Sequence, residues 1–113
     1  MNPDDYGSRE ACQRLVEAGI MLKPEKWWCY YNGEWKLYSE DKIPLRDYNY
    51  LMQISAFSFY SVWRSMPFGT MLIKVGNCSH AIPINKEVTV INTNPTDALI
   101  YLRIWLEERK EGT

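Results

Sequence analysis

Between Trp27 and Tyr38 the chain reads Trp-Trp-Cys-Tyr-Tyr-Asn-Gly-Glu-Trp-Lys-Leu-Tyr, two aromatic-rich runs separated by Asn32-Gly33. Both central residues of a type I′ turn need positive φ, which Asn and Gly tolerate, so this stretch predicts a two-residue β-hairpin. The register follows. Tyr30 lies opposite Trp35 and Trp28 opposite Leu37, and because side chains alternate with period two these four share one face, apolar enough to be core. The other face carries Trp27, Cys29, Tyr31, Glu34, Lys36 and Tyr38. A slip of one residue would exchange the two faces.

The rest of the 113-residue chain is consistent with one domain over residues 1–113, large enough to bury roughly two thirds of its unfolded surface without metal or disulfides. Hydrophobic residues make up 46% of it, yet no apolar run approaches the ~20 residues of a membrane span. No signal-peptide pattern opens the chain, so the expected location is the cytoplasm, with no membrane partner. The formal net charge is −1 and the basic residues are scattered, which disfavours duplex nucleic acid as a partner. Cys12, Cys29 and Cys78 are odd in number with no CxxC spacing and read as free thiols.

Residues 1–7 are polar and read as frayed. Ser8 then caps a short amphipathic helix bearing Ala11, Cys12, Leu15 and Val16, with Gly19 at its C′ position. After the hairpin, Tyr48 to Ser55 reads as extended. Ser58 caps a second helix with Phe59, Val62, Trp63 and Met66 on one stripe, stopped by Pro67. Thr70 to Val75, His80 to Ile84 and Glu87 to Asn92 form an antiparallel meander, in which Pro83 suggests an edge strand. In the last helix Asn94 is the cap, Pro95 sits at N1 and Asp97 reaches back in a capping-box manner. Ala98, Leu99, Leu102, Trp105 and Leu106 line its apolar stripe, and residues 108–113 read as a polar tail. The class is α+β: a small antiparallel sheet built from hairpins, with three helices packed on it.

Signals for chemistry are sparse. Cys78 and His80 are two residues apart on a strand or turn and point the same way, so they offer either a thiolate with its base or two zinc ligands completed by Cys12 and Cys29. A polar turn explains the pair equally well. No Gly-rich phosphate loop, nucleophile elbow or HExxH is present, and no catalytic residue, cofactor or metal ligand is assigned. The hairpin carries the sharper hypothesis. Trp27, Tyr31, Lys36 and Tyr38 form a candidate interaction face for a second copy of the chain or another protein, with Trp27→Ala expected to weaken association and leave the fold intact. The alternative is a stacking platform for single-stranded nucleic acid, with Lys26 and Lys36 beside the aromatics.

Three stretches also resemble a family of small uncharacterised proteins encoded by tailed bacteriophages and by prophages of gut bacteria. They are Arg14-Leu15-Val16-Glu17-Ala18-Gly19-Ile20, the segment Ala56 to Pro67 containing Trp63-Arg64, and Asn94-Pro95-Thr96-Asp97-Ala98-Leu99 running through Ile104-Trp105-Leu106. Phe57 stands where the family has proline, and Ser61 and Ser65 where it has acidic residues. The resemblance implies a phage-derived accessory protein acting in the cytoplasm of a bacterial host on an unknown host or phage partner. It implies no site residues.

Overall fold

Nine elements follow one another as α1 (Arg9–Glu17), β1 (Lys26–Tyr31), β2 (Glu34–Tyr38), β3 (Met52–Ala56), α2 (Phe59–Ser65), β4 (Met71–Val75), β5 (Cys78–Ile82), β6 (Val90–Asn92) and α3 (Pro95–Glu111). This computed structural model describes residues 5–31, 33–39 and 52–111, apart from the side chains of Tyr31, Met52, Lys110 and Glu111. The fold is α+β. Its strands divide into two antiparallel three-stranded sheets, ordered β2-β1-β3 and β4-β5-β6.

The hairpin forms in the expected register, with Tyr30 opposite Trp35 and Trp28 opposite Leu37. Gly33 has φ 81°, the positive value the turn demands. β3 pairs with the other side of β1 and places Ile54 opposite Trp28, which confirms the extended reading for residues 52–55; residues 48–51 of that segment lie outside the described residues. Trp28 and Ile54 face inward and pack against the core, while the Tyr30–Trp35 ring pair (5.4 Å between centroids) lies further along the hairpin. There burial falls away. Tyr30 is 37% exposed, and the Arg9 guanidinium covers the Trp35 ring at 5.1 Å.

Capping explains where the helices begin. Ser8 Oγ accepts from the Ala11 amide, Ser58 Oγ accepts from the Ser61 amide, and Asn94 Oδ1 accepts from the Thr96 and Asp97 amides. α3 is the central helix, packing on α1, α2, β5 and β6. Its first turns are therefore buried on every side: Ala98, Leu99, Ile100 and Leu102 are all fully enclosed. With Leu15, Phe57 and Val62 they form the main core, each large apolar side chain contributing about 1.5–3 kcal/mol of burial.

Four expectations are corrected. Residues 5–7 are docked rather than frayed: the Gly7 amide donates to the Phe57 carbonyl at 3.0 Å, its carbonyl accepts from Trp28 Nε1 at 2.9 Å, and Tyr6 is 8% exposed. Long-range hydrogen bonds hold this segment, which a polar composition does not reveal. Asp97 accepts from the Ser8 amide at 2.7 Å, while the Asn94 amide that a capping box would occupy donates to Asn92 Oδ1. β5 is the middle strand of its sheet and not an edge; Pro83 falls one residue past its end, where a missing N–H costs no ladder bond. Residues 108–111 continue α3, whose end is tethered by Arg109 to Glu87 at 2.8 Å and over the Trp105 ring at 4.8 Å.

Candidate functional site

Each sheet has one face toward the helices and one away from them. In the first sheet, Trp27, Cys29, Lys36, Tyr38, Gln53 and Ser55 share the face opposite Trp28 and Ile54. Trp27 and Tyr38 are cross-strand partners and both are half-buried. Cys29, small and central between Lys36 and Gln53, is fully buried, and burial raises its thiol pKa. The Lys36 ammonium pairs with Glu34 at 3.2 Å. Lys26 belongs to the opposite face, where its ammonium lies 5.3 Å over the Tyr6 ring. Of the expected interaction face, then, Trp27, Lys36 and Tyr38 stand together, and the Tyr31 side chain lies outside the described residues. The two lysines that would serve a nucleic-acid backbone are separated by the sheet.

The second sheet is built differently. β5 alternates, with Ser79 and Ala81 buried against α3 and Cys78, His80 and Ile82 turned to the other side. Register then assembles the outer face: Met71 beside Ile82, His80 between Ile73 and Ile91, Val75 beside Cys78. Met71, Ile73, Val75 and Ile91 are 38%, 44%, 53% and 56% exposed. Ile84 continues the row beyond Ile82 and packs directly under Gly69, whose φ of 87° and lack of a Cβ permit the approach. No charged side chain belongs to this face.

Cys78 and His80 do share a face, as their spacing implies. Their cross-strand neighbours, however, are Val75, Ile73 and Ile91, with no carboxylate in register to orient the imidazole. The zinc set is not assembled. Cys12 is enclosed in the main core beneath α1, Cys29 belongs to the other sheet, and among the described residues no three His, Cys, Asp or Glu side chains converge to hold a metal ion. Burial pushes the Cys12 thiol up to about 11, the opposite of what a thiolate nucleophile needs.

Sequence reading missed the exposed apolar face because Met71-Leu72-Ile73-Lys74-Val75 gives apolar residues on both faces of one strand. That doubling was itself the signal: Leu72 suffices for the core side, leaving Met71, Ile73 and Val75 for the other.

Comparison with protein families, with curated proteins and with solved structures finds no match. Among the described residues, no helix is long and apolar enough to cross a membrane.

Proposed function

We propose that this protein acts by protein–protein association, as a phage- or prophage-derived accessory protein, and that its primary contact is with a second copy of itself through the outer face of β4-β5-β6. The observation that carries this reading is the contiguous apolar surface of Met71, Ile73, Val75, Ile82 and Ile91 around His80. Its exposed area is on the order of 400 Å², within the range of the largest apolar patch on a monomer, which is often functional. Two such faces together bury roughly 800 Å², the apolar centre of an interface that its polar rim brings to the roughly 1,000 Å² of a specific contact. An uncharged, apolar face is also self-complementary, since pairing it with its own copy desolvates no ion.

The hairpin face of Trp27, Lys36 and Tyr38 is the weaker candidate. Its aromatics are half-buried within their own sheet, and its lysine is already paired.

Dilution followed by methyl NMR tests the reading. Concentration-dependent shifts confined to Met71, Ile73, Val75, Ile82 and Ile91 support it. Shifts centred on Trp27 and Tyr38, or none over the accessible range, contradict it.

A further inference from the structure

The uncharged outer face of β4-β5-β6 carries one side chain that can gain a proton in mild acid, and it stands at the centre. β5 is the middle strand of its sheet and His80 is the middle residue of β5. The imidazole is therefore flanked by Ile73 on β4 and Ile91 on β6, with Cys78 and Ile82 on either side of it along its own strand. Met71 and Val75 occupy the diagonal positions. His80 is partly exposed, so in the single chain water can solvate the ring in either protonation state.

No countercharge on this sheet faces an imidazolium at that position. The outward residues of β4 and β6 are uncharged, and Lys74 on β4 and Asn92 on β6 both lie opposite Ser79, on the inner face. α3 packs on that inner face as well, so its charged groups, Asp97 and Arg103 among them, are separated from His80 by the sheet. Cys78 is the other titratable group of the outer face, and lowering the pH adds no charge to a thiol.

We propose that His80 makes the self-association of this protein acid-sensitive: the neutral imidazole permits two outer faces to pair, and its protonation separates them. The inference rests on the self-association reading above. Pairing the faces withdraws both His80 rings from water and surrounds each with the apolar side chains of two copies. A neutral ring can be enclosed there, whereas an imidazolium without a carboxylate loses its hydration and gains no partner. Each copy also brings its own charge to the same contact, so the two cations repel. Imidazole is the side chain whose charge changes between about pH 5 and 8. The separated chains bind protons that the dimer excludes, so association is strongest toward pH 8 and is lost as the pH falls toward 5.

Dissociation constants from sedimentation equilibrium between pH 7.5 and 5, for the parent, His80→Gln and His80→Phe, test this. Two protons must leave for each dimer formed, so the parent's constant is expected to rise by about a hundredfold per pH unit over the acid part of the range. Neither replacement side chain takes up a proton, and both variants should keep one constant throughout. A parent constant indifferent to pH would overturn the inference and leave the self-association reading standing. Weakening in acid shared by both variants would assign the effect to another group and overturn it too. A parent that is monomeric at pH 7.5 would contradict the self-association reading itself, and the inference with it.

Discussion

The Ser8 backbone amide donates to the Asp97 carboxylate at 2.7 Å, so that the start of α1 and the start of α3, 89 residues apart, are held by one charge-assisted hydrogen bond. Asp97 is 7% exposed, and little water competes for the bond. Asp97→Ala is expected to cost about 1–3 kcal/mol by leaving the Ser8 amide without its acceptor, and Asp97→Asn less, since an amide oxygen still accepts. Urea denaturation of the two variants beside the parent measures both numbers. Equal stability for all three would show that the junction is held by packing alone.

Gly7 sits one residue away and is the tightest point of the same junction. A Cβ there would collide with Ile100 Cδ1 and come within 2.9 Å of Cys12 Sγ. Gly7→Ala is therefore expected to destabilise by about 1–3 kcal/mol through overpacking, although the change would favour an ordinary loop. Restoration of stability by a compensating Ile100→Val would tie the loss to that contact.

Burial holds the Cys12 thiol at about 11 instead of 9.0 and shifts Cys29, Tyr6 and Tyr101 in the same direction. The unfolded chain thus releases the Cys12 proton near pH 9, while the folded chain keeps it until about pH 11. Protons bound by the unfolded state are fewer in that window, so stability is full below pH 9 and falls as pH rises toward 11. The Cys12 contribution is at most about 3 kcal/mol. Cys12→Ala should flatten the decline in urea midpoint between pH 8.5 and 10.5 without abolishing it; an unchanged slope would remove Cys12 as its cause.

Thiol accessibility gives a further check on the same core. Cys78 is partly exposed, whereas Cys12 and Cys29 are fully buried. Iodoacetamide under native conditions should modify one thiol per chain, at Cys78, in the Ile91→Glu protein whose outer face is unpaired, and all three only in denaturant. Native labelling of Cys12 at a comparable rate would be incompatible with α1 packing on α3.

Much of this architecture is legible locally. The Asn32-Gly33 pair in the sequence predicts the hairpin register that forms, with Gly33 at positive φ, and Ser8, Ser58 and Asn94 mark helix starts because a short polar side chain satisfies amides two or three residues on. What is not legible arises between distant segments. The docking of residues 5–7 and the use of Asp97 on Ser8 depend on partners tens of residues away, whereas β5 is central because its chain neighbours β4 and β6 flank it. The same limit applies to the outer face of the second sheet: Ile73, His80 and Ile91 come together only when three strands pair in register.

Self-association through the second sheet is tested most directly by the sedimentation mass of three proteins: the parent, Trp27→Ala and Ile91→Glu. Ile91 is 56% exposed and lies on the uncharged outer face, so glutamate there should leave the fold intact while burying an unpaired charge in any interface built on that face. The expected result is a dimer for the parent and for Trp27→Ala, and a monomer for Ile91→Glu. A monomeric parent, or a dimer lost with Trp27→Ala but kept with Ile91→Glu, would contradict the account.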